Sequence, residues 1–407
     1  MRVLFVSYYA PPHASPRSIR IARAGRALLR AGDELHILSA DLGGSEDGLL
    51  AQLSGALFYR VEPGPLERRS RRGQGGRGGG TSPEAPETGE TRALLSKAGS
   101  AERARRIAET LLVPDLRAEW IPKALLRART LPRPDLVVSF SPLFSSVVLG
   151  DLLSRWFRAP HVIDYGDPWS YRPGYPFGPW RHRVDRALEG RIVGRAAGII
   201  VTTEAQREAT RRVFNRGPDA VCLSNGYDPS DYPPPDPAPG QALRYLGSIY
   251  GPRLPLGGFS EALQGHPHWP LLELYGVIEG GLLADSASWL DPRGLVDFPT
   301  SIALMREAGA LFVVGNRQAL QMPSKVFSYM GSGRPILALV EGPDDPMTRL
   351  GLGDQLVWTR PDTRSVSRAL DQLHERIHER FVPPQEWSWT QIGPRYRRAL
   401  EAFLPEG

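Results

Sequence analysis

The chain has 407 residues, 41% of them hydrophobic and 23% charged, which suits a soluble globular protein with room for two cores. Its formal charge of +6 is modest, and its basic residues are not interleaved with aromatic ones, which argues against nucleic acid as a partner. One cysteine, Cys222, excludes an internal disulfide framework or a Cys-built zinc site, and no run reaches the roughly 18 apolar residues of a membrane span.

In chain order, residues 3–6 read as a buried first strand, too short for the apolar core of a signal peptide. Residues 16–30 read as a helix with Ile19, Ala22, Leu28 and Leu29 at buried spacing, stopped by Gly32. Strands follow at 34–38 and 56–61. Residues 62–92 break the pattern, with arginines among glycines and then glutamates among Pro, Ser and Thr, which predicts a mobile insertion. Alternation resumes with helices at 101–112 and 118–130, a strand at 135–139, a helix at 143–157 and a strand at 161–165. It continues with a helix at 180–195, a strand at 198–202, a helix at 204–215 and a strand at 220–223, where Cys222 reads as a small strand residue.

Six prolines between Asp228 and Gly240 exclude a regular element and predict an interdomain linker over 231–240. A second alternating half has strands at 243–246, 272–275, 311–314, 336–339 and 355–358. Its helices fall at 258–264, 302–307, 324–330 and 364–380, and a last helix at 391–403 is capped by Ser388 or Thr390. The order predicts an α/β protein of two Rossmann-like domains, 1–230 and 241–385, with 386–407 as a closing helix.

Residues 322–339 are the richest stretch. Pro323 and Ser324 suit the first positions of a helix, and Val326, Phe327 and Met330 give it an apolar face. Gly331 and Gly333 stop it, and Pro335 leads into a strand. Lys325 stands in the first turn, where the helix dipole disfavours a cation. A cation beside free N–H groups suits a bound anion such as a diphosphate, although a packing helix would explain the apolar residues equally well.

Other strand ends carry polar residues too. Tyr245-Leu246-Gly247-Ser248 runs into a glycine-containing turn where backbone amides can meet phosphate, and Arg253 follows with a bidentate fork. Asp164 and Asp167 lie at the carboxyl end of the strand at 161–165, the place where α/β sheets bind ligands; a turn fixed by Asp167 and Pro168 is the plainer reading. His13 and Arg17 lie between the first strand and first helix, as substrate contacts or plain loop residues. Trp120, Ile121, Leu125 and Leu126 beside Arg117, Lys123, Arg127 and Arg129 read as core contacts with a solvated basic face rather than a membrane-surface patch.

Pro323-Ser324-Lys325, Phe327, Tyr329-Met330 and Gly333-Arg334-Pro335-Ile336-Leu337-Ala338 together resemble the donor-binding helix of bacterial glycosyltransferases with the GT-B fold. The group most resembled is the large retaining family 4 that builds cell-surface polysaccharides. The resemblance implies two Rossmann-like domains facing a cleft, with a C-terminal helix returning to the first. It implies donor contacts by Gly247, Ser248, Arg253, Pro323, Ser324, Lys325 and Ser328, and acceptor-side contacts by His13, Arg17, Asp164 and Asp167. Catalytic roles then fall to Arg253, Lys325 and Asp167, the two cations offsetting charge on the departing diphosphate. No cofactor and no metal is expected, since the nucleotide sugar is a substrate and no Asp-x-Asp pair ends a strand.

The sequence also departs from the family pattern. Gly166 stands where the family usually has arginine, and Ser328 and Leu320 stand where many relatives have glutamates. A glycosyltransferase acting on a glycan, lipid-linked glycan or small-molecule acceptor is the expectation. It would be cytoplasmic, with a peripheral contact at the inner membrane surface left open. A nucleotide-sugar epimerase or hydrolase, or a non-catalytic binding relative, are the alternatives.

Overall fold

A computed structural model describes residues 1–44, 46–65, 108–215, 220–234, 236–248, 258–277, 288–315 and 320–405. The chain divides into two compact units, Met1–Leu223 with Gly393–Gly407, and Ser224–Ile392. Most of the insertion expected at 62–92, and most of the helix expected at 101–112, lie outside the described residues.

The first unit alternates β1 (Arg2–Val6), α1 (Pro16–Arg30), β2 (Glu34–Ala40), α2 (Asp47–Ala51) and β3 (Leu57–Val61). It continues with α3 (Ile121–Ala128), β4 (Leu136–Ser141), α4 (Phe144–Phe157), β5 (His161–Tyr165), α5 (Pro179–Arg195), β6 (Gly198–Val201), α6 (Glu204–Phe214) and β7 (Ala220–Cys222). Its strands are parallel, in the order β3-β2-β1-β4-β5-β6-β7. The order reverses between β1 and β4, where Val3 faces Leu136 and Val6 faces Ser139. This is the switch point at which such sheets open toward ligands.

Both faces of the sheet are covered. Leu4 and Val6 pack in one cluster with Trp120 and Leu149, while Phe5 meets Phe140 edge-on at 4.8 Å. Ala124 joins that cluster and Ile121 and Leu125 pack against it, so this face is core, while Leu126 is exposed together with Pro122, Lys123 and Arg127. A 3-10 turn, Leu116–Trp120, takes the place of the start of the helix expected at 118–130, which begins at Ile121.

The second unit holds β8 (Leu243–Leu246), α7 (Gly258–Gln264), β9 (Leu272–Tyr275), β10 (Leu290–Pro292), α8 (Phe298–Glu307) and β11 (Ala310–Val314). α9 (Lys325–Ser332), β12 (Ile336–Leu339), β13 (Leu356–Thr359) and α10 (Thr363–Glu375) follow. The parallel order is β10-β9-β8-β11-β12-β13, so the reversal falls between β8 and β11. Strand alternation sorts the core. Leu311, Val313, Ile336 and Ala338 pack with Ile302 of α8 and Met330 of α9. Phe312, Leu337 and Leu339 face the opposite way, toward Leu263 of α7 and Leu370 of α10.

The proline-rich segment is held to the second unit by backbone acceptors. Arg306 bonds the Pro233 carbonyl at 2.5 Å and Arg334 the Pro237 carbonyl at 2.7 Å. In the last helix, α11 (Trp389–Ala402), the Ser388 hydroxyl accepts from Thr390 N–H at 3.1 Å. Residues from Gly393 on belong to the first unit, where Arg397 pairs with Asp33 at 2.7 Å. Among the described residues no helix is long and apolar enough to cross a membrane.

Among the described α-helices and strands, α2 and β10 were not predicted. α2 is five residues long with one buried apolar residue, Leu49, too little for a period. β10 is a three-residue edge strand, and its Pro292 is tolerated there because an edge position needs no second N–H partner.

Candidate functional site

At the switch point of the second sheet, β8 ends at Leu246 and the chain turns at Gly247, whose φ is 138°. A Cβ on Gly247 would stand 2.5 Å from Lys325 Nζ, so the missing side chain is what lets the ammonium lie over this turn. Lys325 Nζ donates to the Tyr245 hydroxyl at 2.5 Å and lies 3.9 Å from its ring centre. One turn along α9, the buried Tyr329 hydroxyl accepts the Leu246 N–H at 2.8 Å and fixes the strand end beneath the cation. A Cβ on Gly276 would meet the Gly247 carbonyl oxygen at 2.2 Å, so the turns after β8 and β9 touch through backbone. Ser248 Oγ accepts the Val277 N–H at 3.2 Å across them.

Lys325 is the first residue of α9. Ser324 precedes it in helical conformation without a side-chain cap, and no acidic residue stands in the first turn, so no side chain of that turn offsets the positive end of the helix dipole. The helix opens as a tight turn, Val326 N–H to Pro323 carbonyl at 3.1 Å and Phe327 N–H to Ser324 carbonyl at 3.2 Å.

Two expectations need correction. Pro323 and Ser324 do not take the first helical positions: the helix begins at Lys325, and Ser324 is the residue before it, with no side-chain cap bond. Gly331 does not stop the helix, which ends at Gly333 with φ of 68°. Gly331 is small because Tyr232 and Tyr227 pack on it, at 2.6 and 2.8 Å from where its Cβ would stand. Ser328 is half-buried and its carbonyl accepts from the Tyr232 hydroxyl at 2.8 Å. Arg253 lies outside the described residues.

In the first unit the expected acceptor-side carboxylate Asp164 is a structural lock. It is fully buried and accepts from Arg20 Nε at 2.9 and 3.0 Å and from the Tyr396 hydroxyl at 2.9 Å. Arg20 also bonds the Leu223 carbonyl at 3.0 Å, so one ion pair ties α1, β5, the end of β7 and the C-terminal segment together. The reason is direction: Asp164 is the fourth residue of β5 and its side chain points into the interior.

Asp167 is half-buried, and its carbonyl accepts from the Ser141 hydroxyl at 3.1 Å. His13 is buried and stacked on Tyr9 at 5.0 Å. Arg17 lies beside Asp164, its Nη1 3.7 Å from Oδ1. The loop after β5 is anchored by Glu189, which accepts from the Tyr165 hydroxyl at 2.8 Å, Ser170 N–H at 2.9 Å and Ser170 Oγ at 2.5 Å. Burial pushes the Glu189 carboxyl up to about 7. Burial also pushes the Cys222 thiol up to about 12, which agrees with a strand residue and not a nucleophile.

Sequence reasoning missed Tyr245 and Tyr329. Both read as aromatic packing residues, and the only available signal was an aromatic side chain one residue before the β8 terminus and another one turn after Lys325.

A family model described as a glycosyl transferase 4-like domain matches residues 18–226. The chain belongs to the glycosyl transferase 4-like family. Among solved structures it resembles Anabaena Alr3699/HepE in complex with UDP, at 15% identity and a TM-score of 0.57, covering 99% of this chain and 100% of that one. It also resembles sucrose-phosphate synthase from Thermosynechococcus elongatus, at 14% identity and a TM-score of 0.59, over 99% and 94% of the two chains. The lipopolysaccharide outer core galactosyltransferase WaaB in its apo form matches at 10% identity and a TM-score of 0.53, over 99% of both chains. A search of curated protein sequences gave no match. The two parallel sheets and these likenesses make the fold GT-B, with two Rossmann-like units.

Proposed function

We propose that this glycosyl transferase 4-like protein moves a sugar from a nucleotide-sugar donor to a hydroxyl of a glycan, lipid-linked glycan or small molecule, with retention and without a metal. The observation that carries the reading is Lys325: an ammonium at the first residue of α9, over Gly247, at the switch point of the second sheet. As the glycosidic bond breaks, negative charge develops on the β-phosphate of the leaving nucleoside diphosphate. Lys325 and the N-terminus of α9 offset that charge, and Arg253 supplies a second cation. Gly247, Ser248, Pro323, Ser324 and Ser328 are the further donor contacts, and Arg17 and Asp167 serve the acceptor. The HepE structures in complex with UDP and with UDP-glucose support a nucleotide-sugar donor.

The test is a thermal-shift screen against nucleotide sugars, since a ligand of the folded state raises its melting temperature. Stabilisation by one nucleotide sugar, followed by transfer to an acceptor with the donor's anomeric configuration retained in the NMR spectrum, is expected. Chelator should leave the rate unchanged. A new nucleotide sugar formed without acceptor would instead identify an epimerase, and tight binding with no turnover a non-catalytic relative.

A further inference from the structure

The first unit carries a second cation at its strand ends, and its donors are unused. Arg17 is the second residue of α1, and its side chain is 10% exposed. Its Nε and Nη1 are buried without a hydrogen-bond partner. Asp164 stays 3.7 Å from Nη1 while accepting from Arg20 at 2.9 and 3.0 Å and from Tyr396 at 2.9 Å. Arg17 therefore feels a neighbouring carboxylate but makes no bond to it.

The guanidinium fills the side-chain space that Gly166 leaves open. A Cβ there would be 1.6 Å from Arg17 Nη2 and 2.9 Å from the Ser141 carbonyl oxygen. Gly166 follows β5, Ser141 ends β4 and Arg17 opens the helix after β1, so all three gather at the carboxyl ends of the strands around the switch point. α1 has no acidic residue in its first turn and adds its positive pole. A buried guanidinium with free donors is costly unless an anion meets it, and its planar fork fits the paired oxygens of phosphate or carboxylate.

We propose that Arg17 is the centre of an oxyanion site in the first unit, and that the acceptor carries a phosphate or carboxylate group bound there. The acceptor part rests on the glycosyl-transfer reading; the anion site does not.

The anion site is tested on the full chain in a Lys325→Ala background, which silences the proposed donor anchor, by titrating inorganic phosphate and acetate and following the melting temperature. Both should stabilise the protein. Adding Arg17→Gln should weaken phosphate binding at least tenfold, and Gly166→Ala, which displaces the guanidinium, should do the same. Arg17→Lys keeps the charge without the fork and should lose less. If Arg17→Gln does not fold, the other two variants decide by the same criterion. Unchanged phosphate affinity in the Arg17 and Gly166 variants overturns the site, as does absence of stabilisation in the Lys325→Ala parent. Loss of anion binding on Lys325→Ala alone also overturns it, while leaving the donor reading intact. With Lys325 present, transfer to a phosphorylated or uronate acceptor should exceed transfer to its neutral counterpart, and Arg17→Gln should abolish the preference. Equal transfer to charged and neutral acceptors overturns the acceptor part.

Discussion

Arg17 and Lys325 each lie at the switch point of their own sheet, on opposite sides of it: Arg17 opens the helix after β1, and Lys325 the helix after β11, the counterpart of β4. Each stands in the first turn of a helix that follows a switch-point strand, and each fills the space above a glycine, Gly166 or Gly247. Their surroundings differ. Beside Arg17 lies a buried carboxylate already engaged by Arg20 and Tyr396, so that strand end is locked by charge. Beside Lys325 the locks are neutral, Tyr245 under the ammonium and Tyr329 on the Leu246 amide. The two strand ends thus hold a cation by two routes, one beside a buried ion pair and one over tyrosine hydroxyls.

The contrast breaks most sharply at Asp164. Asp164→Ala leaves Arg20 buried without its counter-charge and should lower stability by about 3–5 kcal/mol in urea unfolding. A loss under about 1 kcal/mol, the range of exposed pairs, would dissolve the distinction.

The pH dependence of the first unit comes next. The folded Glu189 carboxyl titrates near 7 and an unfolded one near 4.5. Between those values the folded state holds the proton that the unfolded state has released. Stability is therefore fullest below the unfolded value and falls as pH rises toward 7. Relative to Glu189→Gln, the unsubstituted protein should lose about 3 kcal/mol across that window. A flat difference between the two proteins would remove the buried carboxyl from the account.

Tyr329→Phe should cost about 1–2 kcal/mol of stability by leaving the Leu246 N–H buried and unmet. It should also weaken nucleotide binding, because the turn at Gly247 loses its anchor. No change in either would show that the neutral lock does not position Lys325.

The alternation of strands and helices was legible because both faces of each sheet are buried. Runs such as Leu311-Phe312-Val313 must be apolar at every position, whichever core each side chain joins. Lys325 was legible for a different reason, as a cation standing against the helix dipole. Asp164 was misread because a carboxylate at a strand end looks the same in sequence whether it points inward or toward a ligand. Its partners Arg20 and Tyr396 are 144 and 232 residues away. Tyr245 and Tyr329 were hidden because an aromatic residue at core spacing gives no sign of where its hydroxyl goes. Gly166 stood out as a departure from the family pattern, but only the structure shows that Arg17 occupies its space.

The most direct test of the central claim, that Lys325 holds a donor diphosphate, is calorimetry of UDP, GDP and TDP against the protein and its Lys325→Ala variant. The nucleotide that binds the unsubstituted protein should bind the variant at least tenfold more weakly, a loss of about 1.4 kcal/mol or more. Equal affinities for every nucleotide in a folded variant would contradict the claim.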